Sequence, residues 1–112
     1  MITLTKEDSN KTINLQVDDV LQIQLVGIAT TGFWWRFQDL DEQYLRIVKE
    51  YTRPISGVPE KIDGGPIMGV WELLAVKPGT TTVRMAYSRG GQSPKTAANR
   101  FSVKLRINAK GF

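Results

Sequence analysis

The chain has 112 residues, 41% of them hydrophobic, which is one domain's worth of protein with enough apolar mass for a core and no room for a catalytic domain beside a regulatory one. It contains neither cysteine nor histidine, so disulfides, zinc–thiolate sites and every Ser/His or Cys/His catalytic arrangement are excluded, and no metal or cofactor is expected. No stretch approaches the roughly 20 apolar residues of a membrane-spanning helix, and the net charge of +4 is modest.

In chain order, Met1-Ile2-Thr3-Leu4-Thr5-Lys6 lacks the basic start and long apolar segment of a signal peptide, which fits a cytosolic protein and equally the mature part of an exported one. Strand-like alternation then begins and helical periodicity never appears. Ile13, Leu15 and Val17 alternate with Asn14 and Gln16; Leu21, Ile23 and Leu25 alternate with Gln22 and Gln24; Phe33, Trp35 and Phe37 alternate with Trp34 and Arg36. Leu45–Tyr51 is a strand with weaker alternation. Trp71, Leu73 and Ala75 share a face of the next, and Lys77-Pro78-Gly79-Thr80 is a turn, with proline presetting φ and glycine supplying a positive one. Val83, Met85 and Tyr87 alternate with Arg84 and Ala86, and Phe101, Val103, Leu105 and Ile107 alternate with Arg100, Lys104 and Arg106. Short strands separated by Gly, Pro and Asp clusters predict an all-β fold, an immunoglobulin-like antiparallel β-sandwich of about seven to eight strands in a single domain over 1–112.

Three features invite a functional reading and are set aside. The cations Arg100, Lys104 and Arg106 form a stripe, but the aromatic that single-stranded nucleic acid would stack on, Phe101, points to the other face, so no nucleic-acid partner is expected. Asp39-Leu40-Asp41-Glu42 gathers three carboxylates without the ligand spacing or central glycine of a calcium loop, and reads as a solvated turn. Trp34 cannot face inward if Phe33, Trp35 and Phe37 do, and is expected on the opposite face, covered as a structural residue.

The connections carry more information than the strands. The first, Val26 to Gly32, separates two strongly alternating segments. The second runs from about Thr52 to Met68 and holds Pro54, Pro59, Pro66, Gly57, Gly64 and Gly65. The third, Ser88 to Asn99, is polar and rich in glycine. Connections longer than about 12–15 residues are uncommon in compact folds and are often functional. In a sandwich, alternate connections emerge at the same end, where three loops can form one surface.

These loops resemble those of the chagasin family of protein inhibitors of papain-like cysteine peptidases. That family's pattern is an Asn-Pro-Thr-Thr-Gly-aromatic loop, then a Gly-x-Gly-Gly loop, then an Arg-Pro-Trp loop. Thr30-Thr31-Gly32-Phe33 matches the first, with Ile28-Ala29 in place of Asn-Pro. Gly64-Gly65, preceded by Ile62-Asp63, matches the end of the second. Tyr87-Ser88-Arg89 matches the third up to its arginine, after which Gly90-Gly91 replace Pro-Trp. Pro94 and Arg100-Phe101-Ser102-Val103 follow at similar spacing, so the resemblance runs from about Ile13 to Ile107.

The resemblance implies a non-enzymatic, reversible and competitive inhibitor, expected as a monomer, that inserts three loops into the active-site cleft of a papain-like (cathepsin-type) peptidase. Thr30, Thr31 and Gly32 would sit at the catalytic cysteine, with Phe33 anchoring the loop from the core-facing strand. Asp63, Gly64 and Gly65 would flank one side, and Arg89, Gly90 and Gly91 the other. Loss of the tryptophan anchor and of two prolines implies weaker or differently targeted inhibition than the full pattern would give. The alternative is an immunoglobulin-like binding or adhesion module recognising another protein or a glycan through the same loops.

Overall fold

The computed structural model describes residues 1–28, 32–55, 65–90 and 97–110. Among the described residues there are eight strands: β1 (Ile2–Leu4), β2 (Thr12–Gln16), β3 (Val20–Gly27), β4 (Phe33–Gln38), β5 (Leu45–Arg53), β6 (Ile67–Ala75), β7 (Gly79–Arg89) and β8 (Asn99–Asn108). They form two four-stranded sheets, ordered β1-β3-β6-β5 and β2-β8-β7-β4. A short 3₁₀ helix, Lys6–Asp8, carries the chain from the first sheet to the second.

The seven alternating segments all become strands. β1 has only three residues, too few for alternation to be read. The antiparallel expectation holds for β3–β6, β5–β6, β4–β7 and β7–β8, whereas β1 runs parallel to β3 and β2 parallel to β8. Parallel neighbours need a long crossover. Residues 5–19, including β2 in the other sheet, separate β1 from β3, and most of the chain separates β2 from β8.

The period-2 positions meet between the sheets. Leu21, Ile23, Leu25, Trp71, Leu73, Ala75, Val83, Met85, Phe101, Val103 and Leu105 are all 2% exposed or less. Each large side chain among them contributes on the order of 1.5–3 kcal/mol of burial. The weak alternation of Leu45–Tyr51 has a structural cause, a register shift between Ile47 and Lys49 in the pairing of β5 with β6. The extra residue interrupts the period, and Ile47 and Val48 remain 39% and 50% exposed on this edge strand.

Trp34 departs from strict alternation. It is half-buried and packs against the core, its ring centroid 6.3 Å from that of Trp71 in the facing sheet. β4 is an edge strand, with no strand beyond it among the described residues, and a large indole can turn over the edge. The room comes from two glycines: a Cβ on Gly27 would lie 2.6 Å from Trp34 Cζ3, and one on Gly69 would lie 2.5 Å from Trp71 Cη2 and 2.9 Å from Trp34 Cζ2. Trp34 is therefore covered, as expected, but by the facing sheet.

At the far end, Gly79 opens β7 with φ +147°, and a Cβ there would stand 2.4 Å from the Tyr44 ring. The Asp41 carboxylate accepts the Gln43 N–H (3.0 Å) in the β4–β5 turn, a backbone task for one of the clustered acids. In the crossover, Asp8 accepts the Thr5 N–H (2.9 Å) and Lys11 Nζ (3.0 Å). The backbone hydrogen bond, and after it the lysine, holds the Asp8 carboxyl below its ordinary value.

Two outcomes are expected. Gly27→Ala forces a methyl into the Trp34 and Tyr87 rings and should lower the free energy of unfolding by about 1–3 kcal/mol, read from urea denaturation. Because the Asp8 pKa is depressed on folding, its contribution is present above the unfolded carboxylate value, about pH 4, and is lost as pH falls through the folded one. Asp8→Asn should thus reduce stability at neutral pH and make no difference at strongly acid pH, in the same denaturation experiment.

Candidate functional site

Strand register decides which connections share an end. Gly27, the last residue of β3, lies opposite Ile67, the first of β6, and Arg53, the last of β5, lies opposite Met68. In the second sheet Phe33, the first residue of β4, lies opposite Arg89, the last of β7, and Tyr87 lies opposite Asn99, the first of β8. The β3–β4 connection joins these two ends. All three candidate loops are therefore rooted at one end of the sandwich.

Of the nine residues that the sequence singles out, Gly32, Gly65, Arg89 and Gly90 are described, while Thr30, Thr31, Asp63, Gly64 and Gly91 lie outside the described residues. Gly32 is exposed with φ +85°. The nearest atom to a Cβ there would be Arg89 Nε at 3.9 Å, so space is open and the backbone angle alone calls for glycine. Gly65 is half-buried just ahead of Pro66 and β6. Arg89 and Gly90 are exposed at the end of β7, and a Cβ on Gly90 would come within 3.1 Å of Arg36 Nη2.

Tyr87 ties the first and third loops together. Its hydroxyl accepts the Ile28 N–H (2.9 Å) where the chain leaves β3. Its ring stacks on Phe33 where the chain enters β4, with centroids 5.7 Å apart and planes at 20°. Its backbone carbonyl accepts the Ala98 N–H (2.8 Å) at the return of the third loop. The Arg89 guanidinium lies 5.0 Å above the Phe33 ring, a cation–π contact worth about 0.5–1 kcal/mol at an exposed site. Behind them Trp35 packs 5.2 Å from Tyr87 and donates Nε1–H to the Val26 carbonyl (3.0 Å). Phe33, expected to face the core, is half-buried and stacks on Tyr87 at the mouth of the sandwich.

The second loop is rooted through Arg53. Its guanidinium donates to the Pro54 carbonyl (3.4 Å) and to Gln24 Oε1 (3.2 Å). Gln24 in turn donates to Gln22 (2.6 Å), and Gln22 to Glu72 (3.0 Å), so a polar relay on the outer face couples β5 to β3 and β6. Beside the loop end a cleft of about 500 Å³ opens between the crossover, β3 and the start of β8, bordered by Lys6, Val26, Trp35, Met68 and Asn99. Neither the Tyr87 anchor nor the Arg53 relay could be found from the sequence, because both join residues that are far apart along the chain. Among the described residues no cluster of acids could hold a metal ion. The arrangement offers backbone, hydroxyl and guanidinium groups for recognition.

Comparison with known proteins gives the same reading from another direction. The family model described as Chagasin family peptidase inhibitor I42 matches residues 14–105. The chain is 27% identical over 110 residues to chagasin of Trypanosoma cruzi, covering 94% of this chain and 96% of chagasin. Its fold is similar to the crystal structure of the cysteine protease inhibitor EhICP2 from Entamoeba histolytica, with a TM-score of 0.84 at 22% identity over 96% of this chain and 95% of that one. It is also similar, with a TM-score of 0.58 at 16% identity, to PbICP-C, whose structure is known in complex with falcipain-2; that match covers 98% of this chain and 100% of the other.

Tyr87→Phe removes the hydroxyl that accepts the Ile28 N–H while keeping the ring stack. It should cost about 0.5–1.5 kcal/mol in unfolding free energy, measured by chemical denaturation.

Proposed function

This chain belongs to the chagasin family of peptidase inhibitors, and from that premise we propose that it acts, as a single sandwich domain over residues 1–112, as a reversible, competitive inhibitor of papain-like cysteine peptidases. The observation that carries the reading is the convergence of three loop roots at one end of a rigid sandwich, with Gly32, Gly65 and Arg89 at those roots. Thr30, Thr31 and Gly32 form the central wedge and meet the peptidase's catalytic cysteine. Asp63, Gly64 and Gly65 lie along one side of the cleft, Arg89, Gly90 and Gly91 along the other.

Inhibition on this reading is a matter of shape and hydrogen bonding, with no covalent step. The positive φ of Gly32 bends the backbone so that the threonines precede a tight turn into β4. Peptide N–H and C=O groups in such a tip can pair with a cleft that binds extended substrate backbone. Arg89, held over Phe33, supplies an oriented cation at the third loop in place of the aromatic anchor that Gly91 lacks. Preorganisation through Tyr87 limits the ordering entropy that binding must overcome.

The test is a steady-state titration against papain and a cathepsin. Competitive inhibition at micromolar concentration or below is expected, and its absence would return the chain to the class of general immunoglobulin-like binding modules. Gly32→Val places a β-branched residue at φ +85° in open space, so the fold should persist while the inhibition constant rises about tenfold or more. Unchanged inhibition by a folded Gly32→Val protein would remove the first loop from the site.

A further inference from the structure

The outer face of the β2-β8-β7-β4 sheet carries a charge pattern of its own. Strand alternation places Arg36 of β4, Arg84 of β7, and Arg100, Lys104 and Arg106 of β8 on this face, opposite the inward Val83, Met85, Phe101, Val103 and Leu105. Register arranges them in rows. Arg36 and Arg100 flank Ala86. Arg84 lies between Gln38 and Ser102. Lys104 lies between Thr82 and Thr12, and Arg106 between Thr80 and Asn14. Lys104 and Arg106 are about 7 Å apart along their strand, and neighbouring strands are about 4.8 Å apart.

None of the chain's 11 acidic residues lies in these four strands. The opposite sheet carries Glu50 and Glu72, and there the outer polar groups hydrogen-bond to one another through Gln22, Gln24 and Arg53. The ion pairs among the described residues are Lys11–Asp8 and Lys110–Asp18, so Arg84, Lys104 and Arg106 have no carboxylate partner there. A surface kept only for solubility intersperses both signs, whereas a one-signed face costs self-repulsion and draws in opposite charge.

We infer that this face binds a linear sulfated polysaccharide. Its five cations match the repeated anionic groups of such a chain, and the intervening threonines, serine, asparagine and glutamine are donors and acceptors for sugar hydroxyls and sulfate oxygens. The other polyanions fit less well. Single-stranded nucleic acid wants exposed aromatic platforms, but Phe101 faces the core and Trp34 turns to Trp71. An anionic membrane is held firmly only when apolar groups insert beside the charge, and a protein partner needs an aromatic or aliphatic anchor. Among the described residues the exposed large hydrophobics, Met1, Val26, Ile28, Ile47 and Val48, all lie outside these four strands.

The experiment compares two triple variants of equal net charge, Arg84→Thr/Lys104→Thr/Arg106→Thr on the face and Arg46→Thr/Lys49→Thr/Lys77→Thr off it. Calorimetric titration uses a heparin-derived octasaccharide, with circular dichroism as the control for folding. The face triple should bind about tenfold or more weakly than the parent, the other triple should stay close to the parent, and both should still inhibit papain as the parent does. Equal weakening by the two triples would show attraction to net charge alone and overturn the inference. So would tighter binding of a 20-residue oligothymidine than of the octasaccharide, or no calorimetric response of the parent. Loss of papain inhibition by the parent bears on the loop reading only, so the two can fail separately.

Discussion

Trp34 and Trp71 meet across the two sheets directly beneath the loops, with Trp35, Tyr87 and Phe33 continuing the aromatic packing to the surface. This seam sets the local separation of the sheets and therefore where the three loop roots stand relative to one another. It is possible only because Gly27 and Gly69 leave room for the rings. A methyl at either position would meet rigid aromatic atoms at less than 3 Å. The placement of the three loop roots thus rests on a few aromatic contacts.

A protein without cysteine or histidine can recognise a nucleophilic peptidase because recognition needs only positioned backbone and a few side chains. Tyr87 does much of the positioning: one residue holds the exit of β3, the entry to β4 and the return into β8. The third loop lacks the proline and tryptophan of the family pattern, and Arg89 stacks on the first loop's Phe33. The loops are coupled through that contact, so a change in one is felt in the other.

The two sheets present different chemistry to solvent although both obey the same inward pattern. One outer face is knitted by hydrogen bonds and holds both signs of charge; the other holds cations alone among hydroxyls and amides. Core packing places little demand on Arg84, Lys104 and Arg106, which are exposed. The one-signed face therefore calls for a reason outside the fold.

Alternation by itself determined seven of the strands, the inward set from Leu21 to Ile107, and the sandwich class, because a period of two leaves a strand with one dry face little choice. The order Thr-Thr-Gly-Phe, Gly-Gly, Tyr-Ser-Arg was enough to identify the family. Contacts between residues distant in the chain were decided only by the tertiary structure. The parallel pairing of β1 and β2 depends on where a crossover lands, and the break at Val48 on how β5 meets β6. Trp34 turned inward because its strand lies at an edge facing two glycines, a circumstance that local sequence does not encode. The stripe of Arg100, Lys104 and Arg106 could be read along one strand, but the fold added Arg84 and Arg36 beside it, in a sheet whose four strands hold no acidic residue.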